Sequence, residues 1–244
     1  MRHPRRYLPV LATSITAIAL TACGGGGDGD SNPIASTQFP LSAVAENIAK
    51  ENKTYQFRIS ELVTDSGNSF KFNGSGTYTI TNSSASFEGN SAIKKTSRSK
   101  GSGRIDGNNS SIGFDDSVSS YYGTDFKPLG YVDDATYCPV SNSLELPVLA
   151  VTGQSGSWYE MTCYASSSKL SKVGSVNVNY AIEPDSIESS ALLKITSQAN
   201  GSQGQIRKMV VTYRITTVGD FSLLSEVTVF SDAKIKANTE KIYQ

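Results

Sequence analysis

Few side chains in this sequence could do chemistry. The chain has a single histidine, His3, and three cysteines, Cys23, Cys138 and Cys163. Two acidic pairs, Asp115-Asp116 and Asp133-Asp134, stand against one basic cluster of Lys94, Lys95, Arg98, Lys100 and Arg104. Aromatic residues crowd into one stretch that holds Tyr121, Tyr122, Tyr131, Tyr137, Trp158, Tyr159 and Tyr164. Paired carboxylates could bind calcium or serve a glycosidase. Adjacent residues of a strand point to opposite faces, so each pair needs a turn before it can share a site. Asp also populates turns by bonding its own backbone. Asp115, Asp133 and Glu160 are the candidates for a hydrolase that works with carboxylates alone. The basic cluster suits an anionic partner such as lipopolysaccharide phosphate, or charged strand ends that deter edge pairing. Tyr121, Tyr122, Tyr131, Trp158 and Tyr159 form either a ligand platform or a second small core.

The N-terminus sets the context for these groups. Arg2, Arg5 and Arg6 precede an apolar run from Tyr7 to Ala22 that is interrupted by Pro9, Thr13, Ser14 and Thr16. This is the charged n-region and short h-region of a secretory signal. It falls short of the roughly 20 strongly apolar residues of a spanning helix. Leu20-Thr21-Ala22-Cys23 closes the run. The segment resembles the lipobox of bacterial lipoproteins. That resemblance implies lipid transfer to the Cys23 sulfur, cleavage before Cys23 and acylation of the new N-terminus. Two or more acyl chains then hold a protein stably, at about 0.8 kcal/mol per buried methylene. A tether, Gly24 to Pro33, follows and has no apolar surface to bury. In such lipoproteins an Asp directly after the cysteine marks inner-membrane retention. This chain has Gly24 there, which favours the outer membrane, periplasmic face.

Removal of residues 1–22 takes His3 with it. A mature chain without histidine excludes a Ser-His-Asp triad, a Cys-His pair and His-ligated metal sites. No catalytic residue, metal site or cofactor is assigned. Three of the 22 basic residues leave and none of the 22 acidic ones. The remaining net charge of about −3 offers no attraction for nucleic acid. Cys138 and Cys163 are expected to form a disulfide in an oxidising compartment. Closing a loop of about 25 residues is worth roughly 3 kcal/mol in the chain-entropy model.

The elements that must position these groups are mostly strands. Thr37 to Asn52 is the one convincing helix, with Pro40 in its first turn and Leu41, Val44, Ala45, Ile48 and Ala49 on one face. It is expected to cover a sheet edge or a barrel mouth. From Thr54 the period becomes two, as in Tyr55, Phe57 and Ile59, and later in Val211, Tyr213 and Ile215. Gly74 and Gly76 inside a strand suggest a bulge or sharp bend. Gly101 to Gly103 and Asp106 to Asn108 are expected to bracket a short strand. Turns are expected at Asp65 to Asn68, Asp133-Asp134, Gly153 to Ser157 and Gly219-Asp220. The fold class is mainly β: an antiparallel sheet, open or curved as a half-barrel or sandwich, with one short N-terminal helix. Residues 37–244 form one domain, with a disulfide-pinned aromatic excursion at about 121–164. Lys, Arg, Asn and Ser on the strands' outer faces argue against an outer-membrane barrel.

These features describe a lipid-anchored envelope protein with a non-catalytic binding or structural domain. Its partners are the membrane, through the N-terminal lipid, and an envelope protein or small ligand. Two alternatives stand beside it: a lipid or lipoprotein carrier resembling the half-barrel folds that receive lipoproteins at the outer membrane, and the carboxylate hydrolase.

Overall fold

Alternation with period two from Thr54 onward builds a single antiparallel ladder that runs full circle. The structure is a computed structural model that describes residues 37–244 apart from 108, 109 and 203. The expected signal peptide, Cys23, the glycine tether and Asn108 lie outside the described residues. In chain order the elements are β1 (Gln38–Phe39), α1 (Leu41–Lys50), β2 (Lys53–Asp65), β3 (Asn68–Phe87), β4 (Asn90–Ile105), β5 (Ser111–Tyr122), β6 (Pro128–Val132), β7 (Tyr137–Ser143), β8 (Ala150–Val151), β9 (Ser155–Tyr164), β10 (Lys172–Pro184), β11 (Ser190–Gly201), β12 (Ile206–Thr216), β13 (Phe221–Ser231) and β14 (Ile235–Tyr243).

Twelve of the strands close into a barrel in the order β10-β11-β12-β13-β14-β2-β3-β4-β5-β6-β7-β9, and β9 pairs back onto β10. The expected open half-barrel or sandwich is therefore a closed barrel. Closure comes from the ladder between β14 and β2, near the two ends of the described chain, from Ile235 opposite Asp65 to Tyr243 opposite Phe57. Closing a sheet removes edges that would otherwise pair with other chains. Two local expectations are also corrected. Gly101 to Gly103 lie within β4 and do not bound a strand. The helix is shorter than Thr37 to Asn52, because Gln38 and Phe39 pair with Val151 and Ala150 before Pro40 starts it.

The register divides each strand into an inner and an outer row. Tyr55, Phe57, Ile59, Glu61 and Val63 of β2 share one row, which continues through Tyr243, Lys241, Thr239 and Ala237 of β14. Phe57, Val63, Ala237 and Tyr243 are buried, which makes this row the inner one. The outer row carries Arg58, Lys71, Arg98, Lys100, Lys194 and Arg214 among many Ser and Thr. An outer-membrane barrel needs the reverse, an apolar outer band.

The helix plugs one mouth. Leu41, Val44 and Ile48 belong to the same buried cluster as Tyr55, Phe57, Ile80, Ile182, Leu193, Ile215 and Leu223. A helix end inside an apolar lumen leaves carbonyls that need partners. Asn82 donates to the carbonyls of Ala49, Lys50 and Glu51 at 3.4, 2.9 and 3.0 Å. Lys95, pointing inward from β4, donates to the Ile48 carbonyl. It also lies 3.7 Å from a Glu51 carboxylate oxygen, and Glu51 accepts from the Tyr55 hydroxyl. A cation at a helix C-terminus is favourable as well.

A second device shapes the wall. Gly74 faces Gly103, and Gly76 faces Gly101, across the β3–β4 ladder without a register shift, so of the expected bulge or sharp bend there is no bulge. A Cβ at Gly76 would stand 2.3 Å from the Lys100 carbonyl oxygen, and one at Gly101 would stand 2.2 Å from that of Ser75. The Phe114 and Phe72 rings lie over Gly101 and Gly103 and fill the space the missing side chains leave. Cys138 and Cys163 are bonded, joining β7 to β9.

Two outcomes are expected. Gly101→Ala should destabilise the fold by about 2 kcal/mol, since backbone cannot move aside as a side chain can. Equilibrium denaturation reads this. Lys95→Met should cost about 3 kcal/mol, because it leaves the Glu51 carboxylate and the Ile48 carbonyl buried without their partner. Burial pushes the Lys95 ammonium down to about 8, with the Glu51 charge opposing. Below that pH the folded state carries the penalty of a buried charge, and the penalty fades as pH rises toward about 10. The stability gap between wild type and Lys95→Met should therefore widen between those values.

Candidate binding lumen

The inner rows change character from one mouth to the other. At the plugged end they are apolar and dry: Ile182, Ala191 and Ile215 are at most 1% exposed. Midway stand buried phenols. Tyr78, Tyr122, Tyr159 and Tyr213 are all raised above the ordinary tyrosine value, chiefly by burial, with Tyr122 at about 12. Tyr243 packs edge-on or tilted among Tyr55, Phe57 and Tyr78 at ring distances of 5.3–6.0 Å.

Beyond the phenols the lumen is charged. Lys241 of β14 donates to Glu226 of β13 at 3.0 Å and to Ser99 of β4, three strands round the ring, at 3.4 Å. The Tyr243 hydroxyl donates to the other Glu226 oxygen at 3.4 Å. Thr239 donates to Glu61 at 2.7 Å. Burial raises the Glu61 carboxyl, and the Asp116 charge adds to the rise, while Thr239 and Lys241 pull the other way. Asp116 sits opposite buried Ser99 in the inner row of β5, yet is exposed. Inward-facing Arg207 and Phe70 are exposed too, Phe70 by 45%. Inner-row residues that meet water mean that this mouth is open. A mixed set of acids, one lysine, hydroxyls and aromatic rings can orient a polar ligand without covalent chemistry. Among the described residues no cluster of three or more His, Cys, Asp or Glu could hold a metal.

No known protein family matches the chain, and neither does any curated protein or solved structure.

The residues singled out by sequence are dispersed by the fold. Tyr122, Tyr131 and Tyr159 face the lumen, where Tyr131 and Tyr159 pack on a second cluster formed by Cys138, Met161 and Cys163. Tyr121 lies on the outer wall, stacked on Phe87 at 4.5 Å. Phe87 also stacks on Tyr137, whose hydroxyl donates to Glu88, so the tip of the β3–β4 hairpin folds over the outer wall of β5–β7. Trp158 sits at the register shift of β9, edge-on to Tyr159. The five aromatic residues thus form no single platform. Asp115 is held by Arg98 at 2.5 and 2.6 Å on the outer wall. Asp133 accepts the backbone N–H groups of Ala135 and Thr136 at 2.8 Å, as a turn residue does. Glu160 is exposed on the outer row. The three carboxylates do not converge. Of the basic cluster, Lys95 alone turns inward.

Glu61, Glu226 and Lys241 went unnoticed in the sequence. The available signal was parity: Glu61 falls on the apolar beat between Ile59 and Val63, and Lys241 on the beat that ends in Tyr243.

The buried phenols set the alkaline limit of the fold. Unfolded tyrosines titrate near pH 10. The folded protein keeps these protons longer, so it binds more protons than the unfolded chain above that pH. The stability these phenols contribute is full below about pH 10 and is lost as pH rises beyond it. Phenolate absorbance should appear together with loss of β-sheet circular dichroism. Gradual phenol titration with the sheet intact would contradict this.

Proposed function

We propose that the protein is a lipid-anchored, non-catalytic binding protein of the cell envelope, held by acylated Cys23 at the periplasmic face of the outer membrane. Its barrel receives a ligand or a segment of a partner through the open mouth. The observation that carries the reading is the axial asymmetry of the lumen. One mouth is sealed by α1, while at the other the inner row exposes Asp116, Arg207 and Phe70 beside the contacts of Glu61, Glu226 and Lys241. A water-facing outer wall supports a domain that meets the membrane through its anchor. The carrier alternative draws less support, since a half-barrel carrier holds an apolar cavity and here the apolar half of the lumen is filled by the helix and by aromatic rings. The hydrolase reading loses its original carboxylates to separate sites.

The test has two parts. The full chain, expressed with its signal, should partition into the detergent phase and carry acyl mass on Cys23, and Cys23→Ala should move it to the aqueous phase. Equal partitioning of the two would remove the anchor. Turnover on a panel of hydrolase substrates that Glu61→Gln abolishes would remove the non-catalytic reading.

A further inference from the structure

The barrel wall is not equally tall all round. Strand β5 pairs with β4 along its whole length, from Ser111 opposite Arg104 to Tyr122 opposite Ile93. On its other side β6 reaches only Ser119 to Tyr122. From Ser111 to Val118 the second edge of β5 has no ladder partner among the described strands. The next strands give no cover, because β6, β7 and β9 end together near the open mouth, at Val132, Tyr137 and Tyr164. The result is a notch in the wall, bounded by a bare strand edge and opening directly on the charged lumen.

We propose that this edge accepts an extended polypeptide segment of a partner protein as an added strand, with a lysine or arginine of that segment directed into the lumen. Such a strand gains affinity from main-chain hydrogen bonds and specificity from alternate side chains. The inner row at the notch presents Asp116, exposed, with Glu61 near enough for the charge of Asp116 to act on it. Phe114, lying over Gly101, offers an aromatic wall beside Phe72 and Phe57. On the outer row Asp115 is already occupied by Arg98, so the free negative charge at this edge is the lumenal one. An inward charge on an edge strand also blunts promiscuous pairing. Here it selects: a strand with an apolar or acidic residue opposite Asp116 is rejected, and one with a cation is admitted.

This inference rests on the binding reading above and names the partner class. The probe is a synthetic peptide of about seven residues alternating lysine and valine, added to the full chain. In the free protein, alternate amides between Ser111 and Val118 should exchange rapidly with solvent. Added peptide should protect them. Asp116→Asn should weaken binding at least tenfold, Asp116→Lys should abolish it, and a peptide with glutamate in place of lysine should bind the Asp116→Lys protein. A peptide N-methylated on its pairing amides should not bind. Equal binding of the N-methylated peptide, protection that falls outside β5, or no binding at all would overturn the proposal. In the last case a polar small molecule that still stabilises the wild-type protein, but not the Glu226→Gln, Lys241→Met double variant, would leave the lumenal reading standing.

Discussion

Everything in this protein depends on an amphipathic helix being buried inside a closed sheet. A twelve-stranded barrel is wider than the eight-stranded kind that side chains alone can fill. Leu41, Val44 and Ile48 supply the missing apolar volume at one end. Burying a helix terminus there would strand its carbonyls, and stranded backbone groups cost as much as lost hydrogen bonds. Asn82 and Lys95 answer that need from neighbouring strands. Phe39, paired through β1 with Ala150, fixes where the chain enters. The plug is thus held by apolar packing along its face and by polar contacts at its end.

The plug also decides what the other end can be. With the apolar demand met at one mouth, the far lumen can carry Glu226, Lys241 and Glu61 without needing to be dry. Lys241 and Glu226 are each only 15% exposed and pair with one another, and the contacts come from β13, β14, β2 and β4, on one side of the barrel. The glycine pairs of β3 and β4 leave space in the wall that the rings of Phe114 and Phe72 fill. The same region ends in the bare edge of β5. Aromatic packing, charge and open edge therefore meet at one place.

The disulfide serves the adjoining wall. Strands β6 and β7 are short, and short strands contribute few ladder bonds. The Cys138–Cys163 bond and the small cluster around Met161 reinforce this side, and the folded-over β3–β4 hairpin covers it from outside. The aromatic excursion is better understood as this reinforcement than as a binding face.

Much was legible in the sequence because its causes are local. Period-two alternation from Thr54 named the strands, Gly219-Asp220 and Asp65 to Asn68 named turns, and the stripe through Leu41, Val44 and Ile48 named a helix that had to cover something. The cysteine pair needed only a count. Closure was not legible, since it turns on whether β14 finds β2, and pairing between strands so distant in sequence leaves no local mark. The lumenal site was hidden for the same reason. A glutamate or lysine on the buried beat of a strand reads as an irregularity until the barrel brings Glu226, Lys241 and Ser99 together. The sequence by itself determined which residues face in and which face out along the regular strands, but not past the register shift in β13 that turns Glu226 inward and Val227 outward. Only the tertiary structure decided which mouth is sealed, because that depends on where the helix lands after the ring has closed.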